Sequence, residues 1–238
     1  MSVAILSDTH GNLTAFEAVL ADIDSRGITR IFNLGDMAGK GPRGSACCQL
    51  TRQRCEGTVL GNWDVFMLSE DATRASAPSH WWREELSDQD REWLATLPFH
   101  IDIELAGTRI RLFHASSDDV MHRIYPSIHG EEWDEQFRNT DATGDASPEP
   151  NLVVYGDIHH AWSRTIGEHT LLNCGSVGNP LDETTASYLI LDDATGALTW
   201  ELVRVPYDIE AELQVARDIG MPQYEAWEQE LRTAVYAR

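Results

Sequence analysis

Over the first sixty residues, short apolar runs alternate with helical stretches, and each run stops at a carboxylate or an amide. Val3–Ser7 ends at Asp8, Ile31–Leu34 at Gly35-Asp36, and Thr58–Leu60 at Gly61-Asn62. After the first run, Leu13, Phe16, Leu20 and Ile23 recur on one helical face, with Asn12 as N-cap and Gly27 as stop. Pro42 opens a second helical stretch that runs to about Arg54. Strands alternating with helices predict βαβ units and parallel pairing.

The pattern then changes. Residues 64–97 are helical in composition, with Ser87 and Asp90 spaced as a capping box and Pro98 just beyond. Phe99–Leu105 and Arg109–Phe113 flank Ala106-Gly107-Thr108 and read as a hairpin ending at His114. Residues 138–150 are polar and contain proline and glycine, which predicts a mobile loop. Leu152–Tyr155 is a further strand, followed by Gly156-Asp157-Ile158-His159. Tyr188–Leu191 and Leu198–Val205 read as a last hairpin, and amphipathic helix follows from Asp208, broken near Gly220-Met221-Pro222. The expected organisation is one α/β domain over 1–238, with a helical cap-like segment about 64–97 and final helices about 208–238.

Composition narrows the function. No apolar run reaches the length of a membrane span, and Met1–His10 lacks the basic start of a signal peptide, so a cytoplasmic protein is expected. Cys47, Cys48, Cys55 and Cys174 form no paired framework and read as reduced thiols. Thirty-nine acidic residues face eighteen basic ones, for a net charge of −21. Such a chain repels a nucleic-acid duplex. A small phosphorylated ligand such as a nucleotide fits better, provided local positive charge holds it.

That charge is suggested by the residue that follows each strand. Asp8, His10, Asp36, Asn62, His114, Asp157 and His159 all stand at strand ends, which in an open α/β sheet line the ligand crevice. Alone, each is an ordinary turn residue. Together they are donors enough for two divalent ions, with one carboxylate between them. Two ions roughly 3.5–4 Å apart clamp a phosphoryl group and turn a bridging water into hydroxide at neutral pH. Mixed imidazole and carboxylate donors suit manganese, iron, zinc or nickel better than calcium, and manganese is the ion expected first.

The ordered motifs D-x-H (Asp8, His10), G-D (Asp36), G-N-x-D (Gly61–Asp64), the strand-ending His114 and G-x-x-H (Gly156–His159) resemble the calcineurin-like metallophosphoesterases. Asn173–Gly178 resembles the N-x-G-S-V-G segment of their small bacterial and archaeal phosphodiesterase branch. The resemblance covers about residues 3–205. It implies a four-layer sandwich of two mixed β-sheets flanked by helices. It also implies that Asp8, His10, Asp36 and His159 hold one metal, and that Asp36, Asn62, His114 and Asp157 hold the second. Asp36 would then bridge and position the hydroxide, while Asn62 would also orient the phosphate.

Two positions depart from the family pattern. Asp157 stands where an imidazole is usual, which favours a harder second ion or weakens that site; the neighbouring His160 is a substitute ligand to consider. Trp63 stands where many members carry a histidine that helps the leaving group, and tryptophan has no titratable proton. His122, His129, His160 or Asp64 are candidates for that acid, and none is assigned. Trp81 and Trp82 read as core packing rather than base-stacking, and Arg123 as a phosphate contact or a surface charge. The expected function is hydrolysis of small phosphate esters or nucleotide anhydrides. The alternatives are a protein phosphatase and a binding scaffold that keeps the fold without catalysis.

Overall fold

The computed structural model describes residues 1–69 and 77–238, with nothing said of the side chains of 77 and 78. The first strand, β1 (Ser2–Leu6), leads into α1 (Leu13–Ser25). Asn12 caps that helix by accepting from the Ala15 N–H at 3.0 Å. β2 (Arg30–Asn33), α2 (Gly44–Arg54) and the two-residue β3 (Gly57–Thr58) complete the opening repeat. β1–β2 and β2–β3 pair in parallel, as the alternation predicts. The third strand is shorter than expected because Leu60 leaves the ladder, its N–H donating to Pro98 O.

The helical stretch expected over 64–97 is divided into α3 (Asn62–Leu68), α4 (Ala77–Glu85) and α5 (Asp88–Leu94); its part over 70–76 lies outside the described residues. Ser87 and Asp90 form the capping box of α5. β4 (His100–Leu105) and β5 (Thr108–Phe113) make the expected antiparallel hairpin. Residues 138–150 are irregular; Asn139 closes the segment on itself by donating to Ser147 O, and Arg109 and Arg111 of β5 tie it to the sheet by donating to Glu149 O and Asn139 Oδ1. After α6 (Glu131–Glu135) come β6 (Leu152–Tyr155), β7 (Ala161–Ile166) and β8 (His169–Cys174), then β9 (Ala186–Asp192) and β10 (Thr199–Val205). The chain ends in α7 (Ile209–Asp218) and α8 (Tyr224–Thr233).

Among the described residues the strands form two mixed five-stranded sheets, ordered β10-β9-β1-β2-β3 and β4-β5-β6-β8-β7. Strand alternation builds the layers. Val3 and Ile5 of β1 point between the sheets to meet Leu112, Leu152 and Val154. Ala4 and Leu6 point the other way, onto Phe16, Val19 and Ile23 of α1. On the far side of the second sheet, Val153, Tyr155 and Leu171 are covered by Ile124, Ile128, Trp133 and Phe137. Helices, sheet, sheet and outer cover make the four layers. Burying both faces of both sheets in this way leaves their strand ends as the place where polar groups collect. No helix among the described residues is long and apolar enough to cross a membrane.

Candidate metal centre

Asp8, His10, Asp36, Asn62, His114, Asp157 and His159 are brought to one end of the two sheets, and all seven are buried. Their backbone is as unusual as their burial. Nine non-glycine residues with positive φ occur among the described residues, and five are Asp8, His10, Asp36, Asp157 and His159, with φ from 45° to 61°. The left-handed region costs an L-residue about 1–2 kcal/mol, and such strain collects where function fixes a side chain. A sharp turn of this kind points the side chain after each strand into the space between the sheet ends.

Glycines let those turns approach one another. A Cβ on Gly61 would lie 2.1 Å from Asp36 Oδ1, and one on Gly156 would lie 2.6 Å from Asp8 Oδ2. Asp64 then fixes the Asp36 turn, its carboxylate accepting from the N–H groups of Asp36 and Gly61, both at 2.9 Å, and of Met37 at 3.3 Å. The Asn173–Gly178 segment braces the other turns: Asn173 donates to Gly156 O at 2.6 Å and Ser176 to Asp8 O at 2.8 Å.

The side chains fall into two overlapping groups. Asp8 Oδ1 lies 3.6 Å from His10 Nε2 and 3.3 Å from His159 Nε2, and the two imidazole nitrogens are 3.1 Å apart. Asp36 Oδ2 is 3.6 Å from His10 Nε2 and 3.5 Å from His114 Nε2. His114 Nε2 is 3.8 Å from Asp157 Oδ1, and the Asn62 amide meets that same oxygen. Asp36 Oδ2 therefore faces both groups. Asp8, His10 and His159, and separately Asp8, Asp36 and His114, are spaced to hold a metal ion.

Hydrogen bonds orient the imidazoles. His114 Nδ1–H donates to Leu34 O at 2.7 Å and His159 Nδ1–H to Asn179 O, so each presents its Nε2 lone pair inward. Burial, with the nearby Lys40 charge, pushes His10 down to about 3 and keeps it neutral. Burial likewise raises Asp64 to about 7, helped by the Asp36 charge. Against these stand buried atoms that make no hydrogen bond within the protein: Asp8 Oδ1, His114 Nε2 and Asp157 Oδ2. Unpaired acceptors packed this closely are costly unless a cation sits among them, so the donor set fits divalent metal.

Residues 1–196 match the calcineurin-like phosphoesterase superfamily domain. The chain belongs to that superfamily. It is similar to an uncharacterized protein of Methanocaldococcus jannaschii, 31% identical over 224 residues that cover 87% of this chain and 88% of the relative. It is also similar to a metallophosphoesterase structure from Sphaerobacter thermophilus, with TM-score 0.74 and 25% identity over 99% of this chain and 100% of that one. A hypothetical protein from Pyrococcus horikoshii shares the fold at TM-score 0.76 and 17% identity, with 99% of each chain covered. Calcineurin-like phosphoesterases bind divalent metals, in keeping with the orphaned acceptors here.

Within this superfamily frame the remaining expected residues separate. His160 is exposed while its neighbour His159 is buried, so the two do not point into the cluster together. His122 is exposed and paired with Asp118, and His129 is exposed with its Nδ1–H on Ser127 O. Trp63 packs edge-on to His10 at 5.9 Å and to Trp82 at 5.7 Å, as a wall of the centre. Trp82 is buried in the same apolar cluster, with Trp81 packed against it. Arg123 Nε lies 3.5 Å from Asp157 Oδ2 and so offsets the carboxylate that departs from the family pattern.

Lys40 and Asn179 escaped the sequence reading, since nothing in their local spacing marks them. Lys40 is buried, and its ammonium donates to Asn179 Oδ1 at 3.1 Å. Burial, with the Arg238 charge, lowers it to about 8. With Arg123, Asp157 and His159 it lines a cavity of about 300 Å³ that opens off the centre.

Proposed function

We propose that residues 1–238 form one phosphoesterase domain that hydrolyses small phosphate esters or nucleotide anhydrides in the cytoplasm with two divalent ions, manganese first. The observation that carries this reading is the shared Asp36 Oδ2, 3.6 Å from His10 Nε2 and 3.5 Å from His114 Nε2. In this reading Asp8, His10, Asp36 and His159 hold one ion, and Asp36, Asn62, His114 and Asp157 the other.

When bound, the two ions supply Lewis-acid activation of a water and neutralise charge on the phosphoryl group. The chain's own residues do the rest. Leu34 O and Asn179 O fix the ring orientation of His114 and His159, and the Trp63 N–H holds Asp36 Oδ1 at 2.8 Å so that Oδ2 stays between the groups. Lys40 and Arg123 bring positive charge to phosphoryl oxygens in an otherwise acidic molecule. Trp63 offers no titratable proton, so leaving groups that are already stable anions are favoured.

Elemental analysis of the purified protein tests the reading, together with hydrolysis of bis(p-nitrophenyl) phosphate in manganese. Close to two ions per chain and clear turnover are expected. Bound metal without turnover of any ester or anhydride would favour the scaffold. Neither metal nor turnover overturns both the metal assignment and the enzyme.

A further inference from the structure

The cavity that opens off the donor cluster has a composition of its own. Asp157 and His159 belong to the centre, while Lys40 and Arg123 add two cations and Tyr125 and Tyr236 two phenols. In a chain of net charge −21, two cations on one small cavity form a local exception. Among the described residues, the Lys40 ammonium, with three protons to give, donates to one side-chain acceptor, Asn179 Oδ1. Arg123 is more than half exposed, with Asp157 as its carboxylate neighbour. Both therefore keep donors for an anion in the cavity they share.

The phenols stand beside Arg123, with the Tyr125 hydroxyl hydrogen-bonded to its guanidinium, and their ring faces are open to solvent. Tyr125 is 54% exposed and Tyr236 is 59% exposed, and both border the same cavity. Tyr236 follows α8, outside the residues that match the superfamily domain. The segment carrying it is firmly held. Ala234 turns the chain out of α8 with φ 54°. Ala237 N–H donates to Glu230 Oε1, and the Arg238 guanidinium pairs with Glu230 Oε2, both at 3.1 Å. That guanidinium also lies 5.3 Å from the Trp227 ring centroid and 5.7 Å from that of Trp82, and it donates to Lys40 O. Glu230 is fully buried and accepts from Asn179, the residue that holds both Lys40 and His159. The segment after α8 is thus tied to the same residues that order the centre, and it sets Tyr236 on the cavity.

We propose that this cavity is the subsite for the organic group of the substrate, and that Tyr125 and Tyr236 select phosphate compounds bearing a planar heteroaromatic ring, nucleotides above all. The inference rests on the phosphoesterase reading and adds which ester is preferred. Lys40 and Arg123 hold the phosphate oxygens, and the phenol faces take the ring. A volume near 300 Å³ sits at the small end of small-molecule sites and suits one nucleotide unit rather than a polymer.

The test is equilibrium binding to the manganese-loaded protein of three probes that share a phosphate: adenosine 5′-monophosphate, ribose 5-phosphate and inorganic phosphate. Adenosine 5′-monophosphate is expected to bind about tenfold or more tightly than ribose 5-phosphate, the range of one base on an aromatic face. Tyr236→Ala and Tyr125→Ala each erode that preference while phosphate affinity is kept, and Arg123→Ala weakens all three probes together. Both tyrosines are exposed, so their truncation does not put folding at stake. Equal binding of the first two probes by the wild type overturns the proposal, as does equal loss of every probe in the tyrosine variants. Turnover of bis(p-nitrophenyl) phosphate is followed in the same samples. Turnover without base preference removes the subsite and leaves the phosphoesterase; base preference with no turnover of this diester or of any nucleotide ester or anhydride keeps the subsite and removes the phosphoesterase.

Discussion

At the scale of single residues, Asp36 divides its labour between its two oxygens. Oδ1 accepts from the Trp63 N–H, and Oδ2 lies between His10 and His114. Asp157 belongs to one group only, beside His114, and already has Arg123 near it. Asp36→Asn should therefore cost about 10³-fold or more in kcat/KM and reduce bound metal at both sites, whereas Asp157→Ala should cost about 10–100-fold. Steady-state rates with metal content check this, and near-normal turnover in Asp36→Asn would remove its bridging role. A second expectation concerns the leaving group. Trp63 is wedged against His10 and Trp82, and a Cβ on Gly39 would collide with its ring at 2.2 Å, so this position is a packed wall with no proton to give. Rates across aryl esters of graded leaving-group pKa should fall steeply as that pKa rises. A flat profile with chemistry rate-limiting would show that another group supplies the proton.

At the scale of elements, the β4–β5 hairpin shows how one buried cation depends on its partner. Arg111 on β5 is fully buried, and it donates to both oxygens of Asp102 on β4, at 2.8 and 3.1 Å. Burial works against the Asp102 charge, but the Arg111 hydrogen bonds outweigh it and hold the carboxyl below its usual range. A depressed carboxyl adds stability above its unfolded value near 4, and that stability is lost as pH falls through the lower folded value. Asp102→Asn should cost about 2–3 kcal/mol at neutral pH, toward the low side for a broken buried pair because solvent reaches Asp102. Denaturant melts of both proteins check it: the difference should shrink below pH 4, and a difference unchanged down to pH 2 would assign the loss to packing. The same hairpin was legible in sequence, because its alternation and its Ala106-Gly107 turn are local signals. So were the turns that carry the clustered carboxylates and imidazoles, since each follows an apolar run. β7 was not, because Ala161–Ile166 is largely solvent-facing on an edge and its polar residues resemble a loop. Lys40, Asn179 and Glu230 were invisible for another reason: they meet only through tertiary packing, across 139 positions between the first two. Tyr236 likewise becomes part of the cavity only once α8 has docked.

For the whole molecule, the governing quantity is a net charge of −21 on 238 residues. Several surface arginines are engaged in ion pairs, such as Arg30 with Glu56 and Arg232 with Glu210 and Glu228, and contribute little attraction at a distance. An anionic ester approaching from solvent therefore meets repulsion first, and meets Lys40 and Arg123, with the metal ions proposed beside them, only at the cavity. The Debye length shortens from about 30 Å at 0.01 M salt to about 8 Å at 0.15 M. Added salt should then screen the long-range repulsion far more than the attraction inside the cavity. The expected outcome is that kcat/KM for an anionic nucleotide ester rises about two- to tenfold over that range, while a neutral ester shows no such rise. The thermal midpoint should climb over the same range, because self-repulsion of the acidic surface is screened as well. Kinetics at several chloride concentrations, at fixed manganese, check the first effect, and melting curves in the same buffers check the second. Should kcat/KM fall with salt instead, the field of the cavity reaches beyond the acidic surface, and substrate is drawn in by the cations rather than admitted against the net charge.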